Sequence, residues 1–270
     1  MSFLAEIPES EATGTVAEAY ADIRRVLGAP FVVFIYRVLA TEPGRLEAVW
    51  SDLGPNLGSA EGRRAIEAIA SSSLQGVTPI PRAVLEQGGL DGALAAGTLE
   101  GFRMVNSANI VGLSALLAGV EGPIAAEPGL SAPHVVRPAL PMADLSLLPA
   151  TTVALLEEMS APVAGTERPI LVPSLYRTFA HDEKLLTQLW ATLRPVLESA
   201  AFPAAVEVVA ARGRSLAASL PYRVRRLEDE ETRAVIRRFL RAVPSMLLTG
   251  SLLEVALSEI LVDSPPGPEA

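Results

Sequence analysis

Few residues in this 270-residue chain have the chemistry of an active site, and most of those come in pairs. Arg37 and Arg177 each follow a tyrosine. A guanidinium fork can clamp a carboxylate, although a pair placed once in each half also suits bridging between helices. Glu67 and Glu207 sit among alanines and valines. A carboxylate drawn into such surroundings has a raised pKa and can act as a general base; facing solvent beside an arginine is the plainer use of that residue type. Asn106 and Asn109 lie in the uncharged stretch 104–120, where an amide without partners is costly. Either they bond backbone or the other half of the chain, or Asn109 holds a ligand or a water. His134 lies in a Pro-rich segment, and His181 is followed by Asp182 and Glu183, neighbours that point different ways on a helix and cannot share a ligand. No metal site is expected from this set. The Gly-rich phosphate loop, the nucleophile elbow and the zinc spacing are missing from the sequence.

The pairing has a simple origin. Laid without a gap over residues 170–210, residues 30–70 agree at Val32/Val172, Tyr36/Tyr176, Arg37/Arg177, Trp50/Trp190, Pro55/Pro195, Ser59/Ser199 and Glu67/Glu207, among others. Composition alone would align alanines, not Tyr-Arg, Trp and Pro in one register. The pattern reads as one helical unit written twice. Two such copies pack about a pseudo-two-fold axis, with the cleft at their seam. The division follows as a first repeat over 1–120, a Pro-rich connector over 121–149 laid over the surface, a second repeat over 150–262, and a disordered tail over 263–270.

Residues 1–12 read as a loose lead-in. Thr15 and Glu18 have capping-box spacing ahead of Val16, Tyr20, Ile23 and Leu27, one helical face. Gly28 and Pro30 end that helix. Residues 31–37 could be a buried strand by propensity, but the Pro173 of the echo fits an early helical position, so helix is expected. Helices follow over 45–57, from Ser59 as cap, after Asp91, and over 98–120. In the second half they cover 157–159, 203–220, 229–242 and, after Pro244, 244–261.

Half of the residues are apolar and few are aromatic, which favours an all-α fold. The net charge of −9 argues against nucleic acid as a partner, since that affinity rests on Lys and Arg. With no cysteine, disulfides, thiolate metal sites and Cys-based redox chemistry are excluded, and a cytoplasmic location is the expectation. The uncharged stretch 104–120 is at the lower limit for spanning a bilayer and carries asparagines, so it reads as a buried helix rather than a membrane segment.

Together, Asp22-Ile-Arg-Arg, Ala29-Pro-Phe-Val-Val-Phe, Arg37-Val-Leu-Ala-Thr, Pro43-Gly and Trp50 resemble the N-terminal repeat of the group I 2-haloacid dehalogenases, which act on both enantiomers. The opening of each unit also resembles the alkylhydroperoxidase D-like helical superfamily, whose Cys-x-x-Cys chemistry this cysteine-free chain cannot carry. The resemblance implies two fused helical repeats with a site between them and no cofactor. There an Asp activates the water that displaces halide directly, and an Asn orients it. By this likeness Phe31 and Phe34 take the pocket's aromatic positions, Asn109 that of the Asn, and Ser174 that of the Ser before the catalytic Asp. Leu175 stands where that Asp would be. Leucine cannot accept the proton of an attacking water, a contribution of about 10²–10⁴ in rate.

Three functions remain open on the sequence. The first is a dehalogenase homologue that keeps the pocket for a small ligand, a short carboxylic acid among the candidates, without standard hydrolysis. The second is an active 2-haloacid hydrolase using Glu67 or Glu207 as a relocated base. The third is a helical interaction or scaffold protein. A homodimer is compatible with each.

Overall fold

The computed structural model describes residues 3–72, 74, 76–86, 91–125 and 137–263. His134 and residues 264–270 of the expected tail lie outside the described residues. The described residues are helical, with two isolated β-bridges, Phe3 to Ile170 and Val120 to Val224. In chain order the helices are α1 (Gly14–Leu27), α2 (Phe34–Leu39), α3 (Arg45–Gly58), α4 (Ala60–Ala70), α5 (Ala83–Glu86) and α6 (Gly92–Ala118). There follow α7 (Ala150–Ala164), α8 (Ser174–Phe179), α9 (Glu183–Leu197), α10 (Ala201–Ala217) and α11 (Glu230–Asp263).

Local chemistry accounts for many of the boundaries. Gly28 ends α1 in the left-handed region (φ 63°), its N–H bonded to Arg24 O, a conformation glycine adopts without Cβ strain. Ser59 caps α4 by accepting from Gly62 N at 2.9 Å, and Asp91 caps α6 through Ala93 N and Leu94 N. Each replaces a hydrogen bond that the first turn of a helix lacks. The expected capping box at Thr15 and Glu18 does not form. Thr13 holds the cap position without a side-chain bond, and Thr15 Oγ1 donates to Glu47 on α3 at 2.6 Å. Residues 31–33 stay outside α2, Val33 being extended (ψ 159°), so only the latter part of 31–37 is helix. The helix expected over 98–120 starts at Gly92, where the Asp91 cap sets it.

Pro244 does not divide the last helix: α11 runs through it. A proline removes one backbone donor and crowds the turn before it. Here α11 is packed along α6 more extensively than any other pair of helices meet, and that packing holds the helix through the defect. The stretch Glu230–Ser258 is also long and apolar enough to cross a membrane by composition, but 72% of its most apolar window is buried inside the protein. Nor is the described end of the connector laid over the surface. Ala143 is buried and its N–H bonds Arg177 O at 3.2 Å, while Leu140 N bonds Thr98 Oγ1 at 2.8 Å. A Cβ on Gly97 would meet Pro138 O at 2.2 Å, so this strand-like segment is pressed against α6 where only glycine leaves room.

Candidate functional site

Four segments converge on a cavity of about 40 Å³. From α6 come Phe102, Asn106 and Asn109, spaced 4 and 3 and therefore on one helical face. From α11 come Phe239, Val243 and Met246, with Ala242 beside them. The entry to α2 contributes Val33, Phe34 and Ile35; the entry to α8 contributes Pro173, Ser174 and Leu175. The spacing recurs across the cavity. Val33 and Pro173, Phe34 and Ser174, Ile35 and Leu175 are each 140 residues apart; Phe102 and Phe239, Asn106 and Val243, Asn109 and Met246 are each 137 apart.

Every side chain lining this cavity is uncharged. Leu175 is 1% exposed and lies 3.8 Å from where a Cβ on Gly250 would be. Asn109 is 2% exposed and its Oδ1 finds no donor among the described residues; Ser174 Oγ is likewise unpartnered. Orphan polar atoms at such depth cost about 1–3 kcal/mol each relative to paired ones, and they are what a bound water or polar ligand atom would satisfy. The volume suffices for a water. The rings of Phe34 and Phe239 meet edge-on, 5.6 Å between centroids.

Phe34 is also the floor of a second, larger feature. Arg37 and Arg177 carry their guanidinium carbons 5.9 and 5.8 Å from its ring centroid, within cation–π range. They line a cleft of about 540 Å³ together with Glu6, Phe31, Met142 and Asp144. Phe31 therefore opens on this cleft and not on the small cavity, reaching the latter only through its stack on Phe102 at 4.5 Å. The two arginines do clamp a carboxylate, and it is the chain's own: Arg37 Nε lies 2.9 Å from Glu6 Oε2, and Arg177 Nη1 donates to Glu6 Oε1 at 2.8 Å. The lead-in is correspondingly tied down, with Leu4 N on Ile170 O and Ile7 N on Arg37 O. Sequence carried no signal for Glu6, whose partners are 31 and 171 positions away.

The two candidates for a relocated base are elsewhere. Glu67 is exposed on α4, and Glu207 is exposed on α10, paired with Arg214 at 2.6 Å. Neither lines the cavity, because each falls on the solvent face of its amphipathic helix. His181 bonds Pro141 O at 3.1 Å and Asp182 caps α9. Among the described residues no group of three or more His, Cys, Asp or Glu could hold a metal.

No family model matches the chain. A configuration-inverting 2-haloacid dehalogenase of Alcaligenes xylosoxydans xylosoxydans is 30% identical over 80 residues, which span 30% of this chain and 27% of that protein. The match thus covers about a quarter of the relative's length. Among solved structures, a D-2-haloacid dehalogenase mutant aligns with a TM-score of 0.73 at 18% identity over 96% of each chain. A complex of such a mutant with D-2-CPA aligns with a TM-score of 0.72 at 19% identity, over 95% of this chain and 94% of that one.

Proposed function

We propose that this protein, whose all-helical fold is that of D-2-haloacid dehalogenases, is a dehalogenase homologue that holds a small, mainly apolar ligand at the cavity of Asn109, Ser174 and Leu175 without displacing halide from it. One observation carries the reading: the cavity is lined by three neutral polar side chains and otherwise by carbon. Attack by neutral water on a saturated carbon needs an acceptor for its proton, and none of these groups is one. The paired spacing of the lining supports a duplicated, alkylhydroperoxidase D-like unit whose copies meet at the cavity on a pseudo-two-fold axis. The group I assignment rests on the N-terminal motif through Trp50. A hydrolase with a relocated carboxylate has no support from the exposed positions of Glu67 and Glu207.

The test is halide release from each enantiomer of 2-chloropropionate. The wild type is expected to release none above the uncatalysed rate. Leu175→Asp, which returns a carboxylate beside Asn109 and Ser174, is expected to release halide, since general base catalysis contributes about 10²–10⁴ in rate. Halide release by the wild type in proportion to enzyme added would overturn the reading.

A further inference from the structure

The cleft above Phe34 contains an incomplete charge set. Arg37 and Arg177 are both 5% exposed, and between them lies a single carboxylate, Glu6. The other acids of the cleft are engaged elsewhere. Glu9 accepts from Val32 N at 2.8 Å and pairs with Arg24 at 3.3 Å; Asp144 accepts from Ser146 N and Oγ at 2.9 and 2.7 Å. Arg177 spends its remaining donors well, with Nε and Nη2 both on Ala143 O at 3.1 and 3.0 Å. Arg37 does not. Its Nη2 faces Met142 Sδ at 3.7 Å, and a thioether is a weak acceptor. Burial pulls the Arg37 pKa below its ordinary value, Glu6 pushes it back up, and the facing Arg177 lowers it again. A buried guanidinium with half its fork on sulfur, in a cleft of about 540 Å³, is underpaired.

We infer that this cleft is a binding site for a small monocarboxylate, whose carboxylate takes the Nη edge of Arg37 beside Met142 and completes the set of two guanidiniums and two carboxylates. The walls fit a short apolar tail: Pro30 and Phe31 stand on one side, Leu140 and Pro141 on the other. The site is distinct from the cavity beneath Phe34 and does not depend on what that cavity holds.

Propionate is the probe, with chloride at equal ionic strength as the reference. The wild type is expected to show a saturable rise in melting midpoint with propionate beyond that with chloride. Met142→Glu, at a half-buried position, supplies a tethered carboxylate to the same edge of Arg37. It is expected to weaken propionate binding at least about tenfold, the worth of one charge-assisted hydrogen bond, while Met142→Gln retains it. Absence of a propionate-specific response in the wild type overturns the proposal, and that arm needs no variant to fold. An unchanged response in Met142→Glu also overturns it. So does a response abolished by Asn109→Leu alone, which would put the acid in the small cavity instead.

Discussion

Asn109 is the residue at which stability and function pull apart. Its Oδ1 is buried without a donor, so the folded chain bears a desolvation cost that nothing in the helix requires. Replacing the orphan by a carbon side chain of like size removes that cost. Asn109→Leu is therefore expected to stabilise by about 1 kcal/mol, seen as a melting midpoint higher by roughly 2–4 °C for a chain of this size. Loss of stability instead would mean that the amide has a structural partner. Leu175 is the complementary case. It packs well, is 1% exposed, and gives the cavity wall cohesion where an acid would have to be desolvated.

At the scale of elements, the site depends on how closely α6 is gripped by its neighbours. Gly213 lets α10 lie on α6: a Cβ there would come within 2.2 Å of Ile110 Cγ2, a branched methyl held near the backbone. Gly213→Ala gains about 1 kcal/mol of helix propensity but overpacks the contact at a cost of about 1–3 kcal/mol. A net loss of up to about 2 kcal/mol is expected, measured by urea denaturation. A more stable variant would show that α10 can shift without penalty. The short helices α2 and α8 are positioned differently. Six residues each, they are too short to persist alone and are held by burial of Tyr36 and Tyr176 and by the two arginines on Glu6.

At the scale of the molecule, one contiguous core runs through both halves, and the charges that respond to acid lie on its outside. Asp144, Glu167, Asp229 and Glu230 all have pKa values held below the ordinary 3.8 or 4.5. The leading cause is a hydrogen bond from Ser146, Arg241, Thr232 and Arg237 respectively. A carboxylate whose pKa is lower in the folded state binds fewer protons there than in the unfolded chain. Its stabilisation is fully present above the ordinary value and is lost as pH falls through the folded one. The melting midpoint is thus expected to fall between pH 5 and pH 3, with no contribution from these four groups between pH 6 and 8. A midpoint unchanged at pH 3 would show that these pairs, being solvent-screened, contribute nothing measurable.

Local signals were enough for the helical class, for the Gly28 stop, for the caps at Ser59 and Asp91 and for the recurrence of Tyr-Arg and Trp after 140 residues. All of these rest on a residue and its near neighbours, where composition and spacing act directly. The same register led to Asn109, Phe34, Ser174 and Leu175, which line one cavity. What lay beyond sequence was direction and long-range charge. Which face of α4 and α10 turns to solvent put Glu67 and Glu207 outside. The continuity of α11 through Pro244 was decided by packing on α6. Glu6 between Arg37 and Arg177 is a contact across 171 positions, made by two halves closing on a strand of the lead-in, and no local pattern encodes such an encounter.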